Sequence, residues 1–357
     1  MKKLPKKVGY LIKFIISVAF FSVLLTFVKS NELLAVFSNI NWLFFCISFC
    51  VTLIMVVASC AKWKIILDLK SNKQSFWELF KIYLVGYFFS NILPSTIGGD
   101  VVRSYYAGKI IQNQSYSAVS VFVERFSGIF FLFLLVSVAP LFQRELYGSP
   151  SIYIPACAGL LFSGIVLWIW KAENPFRIPN SVALYTFKIL RGIAEKTRVG
   201  FLLNVVLSLE KFYNTIIKKL NSLREELQVA VIAAKTDKVF LFSLISLTVL
   251  FYLLTWVNVY TAFRTFNIEV SFVSVCAIVP AVMLVAHVPV TLLGNLGYFE
   301  SVFVFYFLLV GVDGAESLAM GLMLRLKMLT MGVVGYIAYL LYKQKHQLNI
   351  TMDSSEN

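Results

Sequence analysis

Seven ionisable residues lie inside stretches of this sequence that are otherwise strongly apolar. Asp100, Arg103, Glu124 and Arg125 fall within residues 79–142, and His287, Glu300 and Arg325 within 270–342. A charge placed in hydrocarbon costs a few kcal/mol on insertion scales, so such residues invite a functional explanation. Arginines facing a central cavity suit a phosphate or another anionic headgroup, because the guanidinium is permanently charged and forks its donors. On that reading Asp100 and Arg103 line a cavity with Arg125 close by, and Arg325 faces it from the far half of the chain. The competing reading makes Asp100, Arg103, Glu124 and Arg125 an internal salt-bridge set that holds the local fold, with Glu124 and Arg125 at the membrane border. Arg325 would then be satisfied by backbone carbonyls. His287 has a side chain suited to proton relay, but a lone histidine at such a place is more often a hydrogen-bonded structural group.

Two interrupted hydrophobic stretches position these residues. The first runs from Asn91 through Pro94 and the Gly98-Gly99 turn to Asp100 and Arg103; the second runs from His287 through Pro289 and Gly294–Gly297 to Glu300. Proline removes a donor and disrupts the preceding helix. Glycine permits positive φ and close backbone approach. Unwound backbone at membrane depth is tolerated only where protein or a watery cavity satisfies it, and N–H groups at a half-helix start attract anions. Arg125 falls 31 residues after Pro94 and Arg325 falls 36 after Pro289, so each break is followed by a helix carrying an arginine. A matched pair of breaks points to a carrier with a site near mid-membrane.

The composition requires an integral membrane protein. Hydrophobic residues make up 59% of the 357 and charged residues 14%, about half the charged share of a soluble domain. Apolar segments lie near 9–28, 41–61, 79–97, 119–142, 152–170, 239–263, 270–288, 298–312 and 317–342. The net charge of +14 is distributed in alternate loops: Lys2 to Lys7, Lys62 to Lys73, then residues 171–238 with 12 Lys/Arg against 6 Asp/Glu, and Lys343 with Lys345. This positive-inside pattern places both termini in the cytoplasm of a bacterial or archaeal cell membrane. Basic loops facing anionic lipid account for the charge better than nucleic acid does. The five cysteines, all in apolar segments, have no metal-ligand or disulfide spacing and read as small packing residues. The first segment lacks a clean cleavage site and reads as a retained helix.

The expected fold is an all-α polytopic bundle with two inverted-topology repeats, 41–142 and 239–342. Each holds a helix, a re-entrant broken-helix hairpin and a second helix. From the start of each repeat to its proline is 53 and 50 residues respectively. A rival topology has the limbs 98–116 and 298–312 crossing the membrane. Between the repeats, residues 171–238 contain an apolar series from Leu203 to Leu227 at helical spacing, which predicts an amphipathic segment at the inner membrane face.

No Walker loop, nucleophile elbow or metal-binding cluster is present, so neither cofactor nor metal is expected. The string NILPSTIGGDVVR, the later Glu124-Arg125, PVTLLGNLGYFE and Arg325 together resemble the flippase-like membrane domain family. That family includes the membrane part of the lysylphosphatidylglycerol synthases, the multiple peptide resistance proteins. The resemblance covers roughly residues 9–342, and Asn295 and Leu296 interrupt the consecutive glycines usual in the second string. It implies transport of a lipid headgroup between leaflets, with cavities opening to opposite sides. The cargo would be a phospholipid, which is aminoacylated in the bifunctional relatives, or a lipid-linked glycan. This chain is expected to lack the aminoacyltransferase domain and so not to make such a lipid. Two alternatives stand beside the carrier: a membrane glycosyl- or phosphotransferase with a lipid-linked donor, and a scaffold for a partner synthase. Membrane lipids are the expected partners, with a homodimer or a partner synthase also open.

Overall fold

The computed structural model describes residues 30–70, 73–93, 98–138, 150–171, 228–288, 290–291 and 295–353, together with residues 22, 141, 186, 188 and 189. The expected first helix (apart from Ser22), the amphipathic series 203–227, and Pro94, Pro289 and Gly294 lie outside these residues. The described chain is helical, with no strand among the described residues. Its elements are α1 (Ser30–Ser38), α2 (Trp42–Leu67), α3 (Phe76–Ile92), α4 (Gly98–Ile110), α5 (Gln114–Val138), α6 (Pro150–Lys171), α7 (Lys238–Arg264), α8 (Phe272–Ala286), α9 (Tyr298–Leu308) and α10 (Gly314–Asp353).

Among the described residues, four helices are long and apolar enough to cross a membrane: α2, α5, α7 and the Gly314–Tyr342 part of α10. Their outer faces expose Leu53, Ile54, Phe122, Phe242, Leu253 and Ile337, a surface that water would not tolerate over such an area. Between them lie two helix–break–helix hairpins. The limbs α3 and α4 have 17 and 13 residues, and α8 and α9 have 15 and 11. At about 1.5 Å per residue the longest is roughly 25 Å, short of a hydrocarbon core of about 30 Å.

The two halves pack alike. α2 lies along α7; within the first half α3 packs on α4, α4 on α5 and α2 on α5, and within the second α8 packs on α9, α9 on α10 and α7 on α10. Each half also lends its last long helix to the other's hairpin, α10 against α3 and α5 against α8. α2 and α7 run antiparallel. Asn41 caps α2 by accepting from Phe44 N at 3.3 Å, while its own N–H donates to Thr265 O at 2.7 Å beyond the end of α7. Thr52 and Asn258 meet further along the same seam, at 3.1 Å.

Close backbone approach sets the first hairpin. A methyl placed on Gly99 would stand 2.1 Å from both Gly86 O and Ser90 Oγ on α3, so only glycine fits where α4 begins. Gly335 makes α10 meet α3 in the same way, since its Cβ would fall 2.1 Å from Leu84 O.

The cysteine expectation holds for Cys60, which is buried, and in part for half-buried Cys276; Cys46, Cys50 and Cys157 are exposed on outward helix faces, where lipid would replace protein packing. Lys62 and Lys64 are not loop residues, because α2 continues past them to Leu67.

Candidate functional site

Around the first hairpin, four of the expected residues come together. α4 starts at the glycine pair, which puts Asp100 in its first turn, beside the positive end of the helix dipole. Arg103 follows one turn later on the same face, with Nε 3.1 Å from Asp100 Oδ1 and Nη2 2.5 Å from Glu124 Oε2 on α5. The next residue on α5, Arg125, reaches back to Asp100 with Nη2 2.9 Å from Oδ1 and Nε 3.0 Å from Oδ2. Lys62 completes the group from α2, its Nζ 3.6 Å from Glu124 Oε1. Three cations thus face two carboxylates, leaving one positive charge in excess.

Exposure divides these residues into two roles. Arg103 and Glu124 are buried, and the Arg103 guanidinium lies 5.1 Å from the Trp63 ring and 4.6 Å from the Tyr83 ring. Set against two aromatic rings and bonded to a carboxylate, it is enclosed by protein side chains. Arg125 is different: its side chain keeps 52% of its surface exposed while Asp100, at 15%, orients it. That guanidinium is the accessible cationic group of the set. Neighbouring bonds fix the frame, with Trp63 Nε1 donating to Ser120 Oγ at 3.0 Å and Tyr252 OH to Gly128 O at 2.7 Å.

The second hairpin repeats one part of this arrangement. Glu300 lies in the first turn of α9 and accepts from Arg325 Nε of α10 at 2.7 Å. Carboxylate and arginine are 25 residues apart in both halves, and the second pair lies 200 positions after the first. Here, however, the pair is closed, with side-chain exposures of 7% for Arg325 and 0% for Glu300. The other Glu300 oxygen accepts from Gly297 N at 2.8 Å, which caps α9 where Gly297 takes φ +81°. Arg325 therefore pairs with a carboxylate, where the competing reading of the sequence expects backbone carbonyls.

That backbone has another partner. Asn295 takes φ +62° and is buried, donating to Ala286 O at 2.9 Å and Val288 O at 2.8 Å and accepting from Thr291 N at 3.2 Å. One amide side chain thereby satisfies the carbonyls freed where α8 ends. This accounts for an asparagine where related strings carry glycine, since asparagine also tolerates the left-handed region.

Two expected pathway residues stand apart. Asn91 donates to Met328 O at 3.0 Å and joins α3 to α10 beside Gly332. His287 Nδ1 lies 2.5 Å from Met283 O, one turn back, as a helix-end group held to backbone. Sequence reasoning missed Lys62 as a site residue and missed Lys327 altogether. Lys327 is buried in α10 with Nζ 2.6 Å from Ser48 Oγ and 2.5 Å from Asn258 Oδ1.

Long apolar helices, an apolar outer surface and two broken hairpins with buried ion pairs define a multi-pass helical membrane protein. Residues 10–335 match the family model of the lysylphosphatidylglycerol synthase transmembrane region, and the chain belongs to that family. Among curated proteins it is similar to a UPF0104 membrane protein of Methanocaldococcus jannaschii, 26% identical over 336 residues that cover 93% of this chain and 94% of the relative. No solved structure matches the chain.

Proposed function

We propose that this protein carries an anionic lipid headgroup, of a phospholipid or a lipid-linked glycan, between the leaflets of a cell membrane. Arg125 serves as the first contact for its phosphate. The observation that carries the reading is the half-exposed Arg125 guanidinium, oriented by Asp100 above a cluster with surplus positive charge. Membership of a family named for a lipid synthase's membrane region supports a lipid cargo. The short limbs of both hairpins support re-entrance, and the antiparallel course of α2 and α7, each leading to a hairpin, supports entry from opposite faces, as in inverted-repeat carriers. The alternative, a membrane transferase, needs a carboxylate free to act as base. Asp100, Glu124 and Glu300 are each engaged by a cation instead, which favours transport.

The test is reconstitution in liposomes with fluorescent anionic, aminoacylated and neutral phospholipids, followed by leaflet exchange read with a membrane-impermeant quencher. Wild type should exchange one of the anionic or aminoacylated lipids. Arg125→Ala should slow it about 10- to 100-fold, the loss of a charge-assisted contact of about 1.5–3 kcal/mol. Absence of exchange for every lipid, with turnover of a lipid-linked donor in detergent, would overturn the carrier and favour the transferase.

A further inference from the structure

Among the described residues, six acidic or basic side chains are buried: Lys62, Arg103, Glu124, Glu300, Arg325 and Lys327. Five of them belong to ion pairs. Lys327 does not. Its side chain is 1% exposed, and its Nζ touches Ser48 Oγ at 2.6 Å, Asn258 Oδ1 at 2.5 Å and Asn258 O at 3.5 Å, all neutral oxygens. The Thr52 hydroxyl adds a third polar group, 3.1 Å from the same Asn258 oxygen.

The groups around it can be named element by element. α2 offers Ser48 and Thr52, and α7 offers Asn258, none of which titrates. On its own helix, Arg325 turns away to Glu300 of α9, which is already engaged at 2.7 Å. α3 contributes the amide of Asn91, spent on Met328 O. α1 carries Glu32 in its first turn, while the groups bonded to Lys327 Nζ are those of Ser48 and Asn258. An ammonium enclosed by such a set is an uncompensated charge, and its desolvation costs several kcal/mol. A neutral amine can keep both short hydrogen bonds without that penalty. The closed packing of α2, α7 and α10 therefore suits the amine, and the ammonium is accommodated once those helices part to admit water or an anionic headgroup.

The position magnifies the consequence. Lys327 sits on the antiparallel α2–α7 seam, one of the interfaces at which the two halves of the molecule meet. A proton bound there biases the packing of one half against the other, and by linkage that packing biases proton binding. We propose that Lys327 is a proton-binding site through which a pH difference across the membrane drives the carrier, an inference that rests on the transport reading above. The step is simple in its balance: the amine nitrogen takes one proton from one aqueous face and releases it to the other, with no redox partner.

The measurement uses the same liposomes with the membrane potential clamped and a pH difference of about one unit imposed. Coupling to one proton shifts the steady leaflet ratio of a transported lipid by up to about tenfold per pH unit. Wild type should show a shift of that order. Lys327→Met and Lys327→Gln should exchange lipid to the same leaflet ratio with and without the gradient. Lys327→Gln retains a donor and an acceptor for Ser48 and Asn258, so it guards against a folding defect in the methionine variant. Either variant following the gradient like wild type overturns the inference, as does wild-type exchange with no shift, and both leave the carrier intact. Wild type without exchange under any gradient removes the carrier reading itself, and the coupling with it.

Discussion

The repeated carboxylate–arginine pair allows one perturbation to be made twice in different surroundings. Arg325→Met strips the counter-charge from Glu300, whose side chain is fully enclosed. Breaking one partner of a buried pair costs about 3–5 kcal/mol, because the other charge stays behind in a medium that cannot solvate it. Glu300 keeps one donor, Gly297 N, which sets the loss toward the lower end of that range. At roughly 2–4 °C per kcal/mol for a large chain, the apparent melting midpoint should fall on the order of 10 °C. Arg125→Met removes the equivalent side chain from an open site, where half of it is exposed and Asp100 retains Arg103 Nε at 3.1 Å. Solvent screening limits that loss to about 1 kcal/mol, a few degrees at most. The double variant Glu300→Gln with Arg325→Met should recover most of the single variant's loss, since no buried charge is then left alone. Thermal unfolding in detergent, followed by fluorescence-detected size exclusion, reads all of these at one scan rate. Equal destabilisation by Arg125→Met and Arg325→Met would refute the reasoning from exposure. A double variant no better than Arg325→Met would refute the reasoning from uncompensated charge.

Three further outcomes follow from the geometry. Gly99→Ala forces a methyl to 2.1 Å from Gly86 O, so the first hairpin should open and monodisperse yield should collapse, while Gly311→Ala, with nothing near its Cβ, should cost only the strain of its φ of +77°. Asn295→Ala removes two carbonyl contacts and one acceptor and should lower stability by about 2–3 kcal/mol, read as a lower midpoint in the same melting assay. In a cysteine-free background, a cysteine at Ile111 should react with an impermeant maleimide from the cytoplasm and one at Val310 from outside; labelling of both from one face would remove the opposed-hairpin topology.

Much of the scaffold was legible because hydropathy sets it: the runs 119–142, 239–263 and 270–288 became α5, α7 and α8 within a few residues of each end. Charge made the other ends harder to place. The run 41–61 stops at Lys62 on paper, yet α2 continues for another turn and a half because Glu124 receives that lysine inside the bundle. A basic residue at the edge of an apolar run reads as a loop until its partner, some sixty positions away, is known. Lys327 was hidden for the same reason. It stands two residues after Arg325 on one helix, and only the tertiary approach of Ser48 and Asn258 separates the two environments. Asn295 looked like a departure from a glycine pattern because side-chain capping of a break depends on carbonyl directions, which residue types do not encode.

The recurrence at 25 residues was present in the sequence from the start, but its meaning depends on exposure. Because both halves place the pair at equivalent positions, carboxylate in the first turn of the second limb and arginine on the next long helix, the pair belongs to the hairpin's construction. It clamps the limb to the helix that follows and compensates the start of that limb. A feature common to a closed half and an open half cannot by itself be the site of transport. What the first half adds is specific to it: Lys62 and Arg103 take over the neutralisation of Glu124, and Arg125 is left oriented, charged and half uncovered. The second half has Phe303 at the position matching Arg103 and Leu324 at the position matching Glu124, so Arg325 has no such neighbours and stays folded onto Glu300. Neutralising Lys62 tests this directly. Lys62→Met leaves Arg103 and Arg125 facing Glu124 and Asp100, so the surplus is gone while Glu124 keeps its 2.5 Å contact with Arg103. That variant should stay folded but lose leaflet exchange by at least tenfold, because Arg125 then lacks the surplus charge that holds it toward a phosphate. Exchange at the wild-type rate in folded Lys62→Met would show that the surplus charge of the cluster has no part in binding.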